Sequence, residues 1–231
     1  MGKVKIKKHS THIDMTAMSD VTVLLLTFFM LTSTFLQKEP VQVITPPSVS
    51  EEKVPDEKLV QVLIGPEGSV YLNLTGARDS SVLSTEKFRT EVLQRAYDQY
   101  RERNPKAPKL TLADEKEFSK LGTFGVRMDK LVSWINMPME KRDEELKNGG
   151  GIQIEMSKKD GSRNEFQIWL NAIKEVMQNH GLSKDLTNGR GVAIKAGQNT
   201  PYSLVQVVMD NLQTEKLNKF TLMTSLKTEE E

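Results

Sequence analysis

The chain has 231 residues, of which 32 are Lys or Arg and 31 are Asp or Glu, for a formal net charge of +1. That balance argues against a general nucleic-acid binder, which needs a basic surplus on one face. There are no cysteines and only three histidines, at 9, 12 and 180. Disulfide scaffolds, thiol nucleophiles, iron–sulfur clusters and cysteine-type zinc sites are therefore excluded, and a His-rich metal centre has too few ligands.

Residues 1–14 form a basic tail with Lys3, Lys5, Lys7 and Lys8. Residues 15–36 then read MTAMSDVTVLLLTFFMLTSTFL, with Asp20 as their one charge. As a helix these residues reach about 33 Å, enough to cross a hydrocarbon core of roughly 30 Å. The lysines on the leading side predict a cytoplasmic N-terminus and a far-side position for the rest. Ser33 to Gln37 offer no small-residue cleavage site, so the span reads as an uncleaved anchor rather than a signal peptide.

A carboxylate inside a span is costly, by about 2.5 to 3.5 kcal/mol at the centre. Asp20 could simply mark the interfacial end of a helix starting at Val21, or it could be a buried, working carboxylate. Thr16, Asp20, Leu24 and Thr27 share one helical face. A Thr–Asp–Thr stripe gains nothing against lipid and predicts partner helices around it. Asp14, outside the span, reads as a helix N-terminal carboxylate favoured by the macrodipole.

These residues resemble the membrane helix of the ExbD/TolR family, the single-span subunits of proton-driven envelope motors in Gram-negative bacteria. Asp14, Ala17, Asp20 and the LLLTFFMLT run stand where that family has an Asn or Asp, a Pro, an Asp and a Leu-rich span. The LLLTFFMLT wording is most similar to the Bacteroidetes branch. Ala17 departs from the pattern by replacing the usual Pro, and a kink before the span loses its basis. The resemblance implies that Asp20 carries the proton and that Thr16 and Thr27 line its path. It also implies a polytopic ring partner like ExbB or TolQ, a transducer like TonB or TolA, self-dimerisation and no cofactor beyond protons. The expected setting is the bacterial inner membrane with a periplasmic C-terminal domain.

Residues 37–58 hold four of the nine prolines, at 40, 46, 47 and 55, and read as a linker. Val41–Ile44 alternates and could add as a strand to another chain's edge. A domain over 59–227 follows. Leu59–Ile64 and Val70–Leu74 flank the turn Gly65-Pro66-Glu67-Gly68 and predict a hairpin. Ser84 or Thr85 caps a helix with Phe88, Val92, Ala96 and Tyr100 on one face, ending before Asn104-Pro105.

The middle, 105–187, is longer than the family core requires and reads as an elaboration or subdomain. It holds a helical face at Met128, Leu131, Val132 and Ile135, and a charged helix after Pro138. A flexible break at Gly149–Gly151 and an alternating strand at 152–156 follow. An amphipathic helix over Phe166–Met177 is closed by Gly181. Trp134 and Trp169 read as core rather than ligand pocket, and His180 as a cation at a helix end. Val192–Ala196 predicts a buried strand, Thr200-Pro201 a capped helix start with Pro at its first position, and Phe220–Leu226 a last strand.

The fold class expected is α+β. One N-terminal transmembrane helix precedes a small sheet with helices packed on one face, ExbD/TolR-like with an enlarged middle. No Walker loop, nucleophile elbow or H-E-x-x-H is present, so an enzyme is not expected. The resemblance implies a subunit that powers TonB-dependent transport across the outer membrane. The alternatives are a TolR-like envelope-maintenance motor and a passively anchored binding module, with peptidoglycan as its candidate ligand.

Overall fold

The computed structural model describes residues 15–32, 43, 45–48, 60–65, 68–74, 86–148, 150–152, 154–157, 162–182, 184, 191–223 and 225–226. The chain divides into two compact units, residues 1–38 and 39–231. The first is one helix, α1 (Met15–Thr32). Residues 33–36 of the expected span, and the expected caps at Ser84 and Thr85, lie outside the described residues.

The second unit is built on a five-stranded mixed sheet. Its hairpin joins β2 (Val60–Ile64) to β3 (Val70–Asn73) in antiparallel register from Gln61↔Asn73 to Ile64↔Val70. The Gly65 amide donates to Ser69 O (2.8 Å), and Gly68 takes φ 86° to turn the chain. A Cβ at Gly68 would also sit 2.9 Å from Leu204 Cδ1, a contact the leucine tip can move to relieve, so it is the positive φ that calls for glycine. The sheet order is β4-β3-β2-β5-β6, with β4 at Thr123–Phe124, β5 at Val192–Ala196 and β6 at Thr221–Met223. β5 runs parallel to β2, and β6 parallel to β5. Parallel neighbours need a long crossover. Among the described elements, the chain between β3 and β5 meets that need with five helices.

Those helices are α2 (Glu86–Arg103), α3 (Leu112–Ser119), α4 (Leu131–Ile135), α5 (Met139–Lys147) and α6 (Glu165–Asn179). α2 buries Phe88, Val92, Leu93, Ala96 and Tyr97, the face its four-residue spacing predicts, and ends before Asn104. Trp169 of α6 lies at the centre of the core. It stacks on Phe118 at 6.0 Å and 11° and tilts against Phe124 at 4.6 Å, joining α3, β4 and α6. Trp134 is 1% exposed. Both tryptophans are core, as their spacing suggests.

The stretch 105–187 belongs to the same unit and supplies one of the sheet's two edge strands. That strand is β4, a two-residue element without its own sequence signal. At 152–156 the expected strand is not formed: Ile152 alone bridges Val70. Glu155 O is instead taken by the side chains of Asn164 and Asn211, and Ser157 N by Asp210. The glycines before it are packing positions rather than a free joint. A Cβ on Gly150 would lie 2.8 Å from Glu145 O, and one on Gly151 would lie 3.1 Å from Ser69 Cα. Gly149 lies outside the described residues. The Tyr71 hydroxyl reaches Leu146 O at 2.7 Å and Gly150 O at 2.6 Å. Tyr71 alternates with Leu72, which pairs with Phe124. The end of α5 and the glycine turn therefore cover the sheet face opposite the Trp169 cluster at this corner.

Two helices carry capping boxes. Thr111 and Asp114 exchange side-chain bonds at the start of α3, and Asn164 and Gln167 do so at α6. α6 ends with Gly181 at φ 75° and Leu182 N bonded back to Met177 O, as Gly181 predicted. The last helix, α7 (Tyr202–Thr214), starts one residue later than expected. Thr200 N is spent on Gly197 O in a preceding turn. Pro201 then sits at the cap position instead of the first helical one, and no side chain caps the helix.

Asp114 is 3% exposed. Burial alone would push its carboxyl up. Bonds from the Thr111 amide, the Thr111 hydroxyl and Asn136 outweigh that and hold it below the ordinary range. A depressed carboxyl contributes stability above its unfolded value, here 3.8, and loses it as pH falls through the folded value. Asp114→Asn is expected to cost about 1 kcal/mol at neutral pH. Its urea stability should also decline less than that of the wild type on acidification below about pH 4.

The expected linker is partly docked. Val43 is 8% exposed and joins the core. β1 (Pro47–Ser48) pairs in parallel with β7 (Ser225–Leu226) of the same chain. This pair starts three residues beyond Ile44 and is separate from the pairing expected of Val41–Ile44. Val41, Gln42 and Ile44 lie outside the described residues.

Candidate functional site

α1 is apolar because 18 consecutive residues carry a single ionisable group and a mean hydropathy of 1.6. None of its residues is buried within the unit. Its large side chains are exposed by 49% at Leu25 to 87% at Leu31. Such a surface is unstable in water and calls for lipid or partner helices. A helix of 18 residues is about 27 Å long, close to the hydrocarbon thickness.

Asp20 is the sixth residue of α1 and is exposed. It stands about 7.5 Å from the helix start and about 18 Å from its end. Thr16 lies about 40° round the helix from Asp20, and Thr27 about 20° in the same sense, so all three share one flank. Along the axis Thr27 is about 10 Å from Asp20, too far for a direct bond. The helix thus sets the three residues along one flank.

Three threonines of α1 turn inward on their own backbone. Thr27 Oγ1 donates to Leu24 O at 2.9 Å, Thr32 Oγ1 to Phe28 O at 2.7 Å, and Thr22 Oγ1 to Met18 O at 2.5 Å. This is how a hydroxyl is carried in a dry helix. With its proton committed, Thr27 offers its oxygen only as an acceptor. A protonated carboxyl or a water could donate to it.

In the second unit the buried polar groups are structural. Asn211, fully buried, accepts from Asn164 (2.7 Å) and donates to Glu155 O and Val207 O, tying α7 to the start of α6. Arg89 is 5% exposed and donates to Ser119 O at 2.8 Å; burial pushes its guanidinium down. Glu215 is clasped by Arg163 and Lys174. Sequence reasoning missed all three. Asn211 had a signal, an amide amid the apolar face of Val208 and Leu212, whereas Arg89 and Glu215 look like ordinary surface residues. His180 caps α6 and lies 2.9 Å from Glu91 of α2, a polar partner besides the helix end. Among the described residues no group of three or more acidic or His side chains could hold a metal.

An apolar, exposed helix with one carboxylate, followed by a separate α+β unit, fits the class of single-span proteins that carry a domain outside the membrane. The family profile for biopolymer transport protein ExbD/TolR matches residues 6–134, more than half of the chain. The chain belongs to the ExbD/TolR family. No curated protein and no solved structure matches it. The matched range takes in residues 6–14 of the basic tail, α1, the hairpin, α2, α3, β4 and most of α4. The α+β architecture agrees with that membership, and the apolar helix fits a single-pass membrane protein. Membership gives the chain an energy-transducing role in biopolymer transport, in a non-enzymatic family that works with partner membrane proteins. The strand–helix–strand of β5, α7 and β6 lies beyond the matched range, yet its β5 lies beside β2 in the same sheet.

Proposed function

We propose that this chain is the proton-carrying subunit of an inner-membrane motor of the ExbB–ExbD type, powering TonB-dependent transport across the outer membrane. The observation that carries this reading is Asp20, the single ionisable group on an otherwise apolar, wholly exposed helix in an ExbD/TolR family chain. Lys3, Lys5, Lys7 and Lys8 favour a cytoplasmic N-terminus and a periplasmic second unit. A polytopic ring surrounds α1, or a pair of such helices, and supplies the polar partner that the ionised Asp20 needs. A proton entering from the periplasm neutralises Asp20 and frees that flank to face apolar surface. Release to the cytoplasm restores the charge. Alternation between the two states shifts the helix in its ring. One charge crossing about 100 mV supplies about 2.3 kcal/mol.

Thr16 and Thr27 are proposed to line the path on either side of Asp20. The second unit acts as a dimer that passes motion to a TonB-like transducer. The reading predicts that full-length chain, purified in mild detergent from its own membranes, brings down a multi-span protein in stoichiometric amount, identified by mass spectrometry. Recovery of the chain alone under several detergents would favour a passive tether instead.

A further inference from the structure

A cleft of about 440 Å³ opens between the start of α6 and the end of α7. Every residue lining it is polar. Three are cations, Arg163, Lys174 and Lys216, and one is a carboxylate, Glu215. The local balance is therefore three positive charges against one negative, or +2, where the whole chain carries only +1. Arg103 adds a fourth cation nearby, since its Nη1 donates to Arg163 O.

Glu215 does not quench this surplus; it organises it. The Glu215 side chain is 4% exposed, with Arg163 Nε at 2.7 Å from Oε1 and Lys174 Nζ at 3.2 Å from Oε2. Lys174 also donates to Glu215 O at 3.1 Å. Both carboxylate oxygens are used, and both cations are held in fixed geometry. Their side chains remain 39% and 20% exposed, so they face the opening.

Lys216 gives an independent sign. It is the one non-glycine among the described residues with positive φ, at 64°. It sits just past α7, where Lys216 N bonds Gln213 O and Leu217 N bonds Leu212 O. That motif normally places glycine in the left-handed position. A lysine there accepts backbone strain and stands at the mouth of the cleft. Strain kept at a charged cleft points to function.

We propose that this cleft binds a phosphate group. A doubly charged oxyanion matches the +2 surplus, and every lining residue brings a polar or charged group to the cleft. Guanidinium and ammonium groups held by Glu215 present preset donors to it. The phosphate comes either as a free ion or as a lipid headgroup, and both share the chemistry recognised here.

The test uses the full-length chain in neutral-detergent micelles, with thermal unfolding as readout. Inorganic phosphate is compared with chloride at matched ionic strength, and dihexanoyl phosphatidic acid with dihexanoyl phosphatidylcholine. Saturable stabilisation by phosphate supports a free-ion site; stabilisation by the phosphatidic acid alone supports a headgroup site. Lys216→Gly removes the charge and the strain together. It should weaken the apparent affinity about fivefold, the scale of one exposed charge contact, without lowering the ligand-free melting temperature. Lys141→Ala, on α5 and away from the cleft, should leave the response unchanged. Equal shifts in chloride and phosphate with no response to the lipid, or an undiminished response in Lys216→Gly, would overturn the site.

Discussion

Asp20→Asn is expected to reduce TonB-dependent uptake to the level of cells lacking the chain, while the protein stays in the membrane with its partners. The argument runs through cost and chemistry separately. A carboxamide has nearly the size and polarity of a carboxyl but cannot take up or release a proton. It is also cheaper in lipid, since an ionised Asp costs up to about 3 kcal/mol there and Asn carries no charge. Failed insertion therefore cannot explain a loss of uptake in this variant. Membrane fractionation and copurification of the ring protein should be unchanged, and Asp20→Glu should keep part of the activity. Wild-type uptake from Asp20→Asn would remove the proton role and return Asp20 to an interfacial residue.

Trp169→Ala carries the largest expected cost in the second unit, about 3 to 5 kcal/mol. Trp169 is fully buried and holds Phe118 of α3 and Phe124 of β4 against α6. Domains are commonly stable by about 5 to 15 kcal/mol, so the variant should be partly or wholly unfolded at body temperature. The indole Nε1 has no hydrogen-bond partner among the described residues. Removing it orphans no acceptor, and the loss is one of packing and cavity alone. Trp169→Phe keeps an aromatic ring against Phe118 and drops the unpartnered N–H, so its cost should stay under about 2 kcal/mol. Urea unfolding of the full-length variants separates the two. Equal costs for Ala and Phe would show that the N–H, not the ring, is what the site needs.

Much of this architecture was legible because the elements that carry it repeat a pattern. α2 and α6 announce themselves by apolar residues three and four apart, and the hairpin by two apolar runs around Gly65 and Gly68. β5 and α7 were also readable, although α7 starts at Tyr202 because the turn at Gly197 claims the Thr200 amide. β4 was not, since two residues have no period. The 152–156 alternation misled for a related reason. Ile152, Ile154 and Met156 alternate as a strand does, but the Glu155 carbonyl is taken by Asn164 and Asn211, which no local pattern reveals. Asp20 stood out because a lone charge in an apolar run is costly. The Arg163–Glu215–Lys174 clasp did not, because charged residues at distant positions look solvated until the fold joins them.

The parallel pairing of Pro47–Ser48 with Ser225–Leu226 has a mechanical meaning. β1 receives any load from its leading end, and β7 is fastened to the domain through its own leading end, after β6. In a parallel pair these ends lie side by side. A tug arriving from the residues before β1 therefore peels the pair open one residue at a time, rather than sliding all its bonds at once. Val43 must leave the core first, a toll of about 1.5 to 3 kcal/mol by its burial, and only two residue pairs remain after that. The five-stranded sheet would feel the pull only once this clip had opened, so Val43 and β1 act as slack that is paid out before the domain itself is strained.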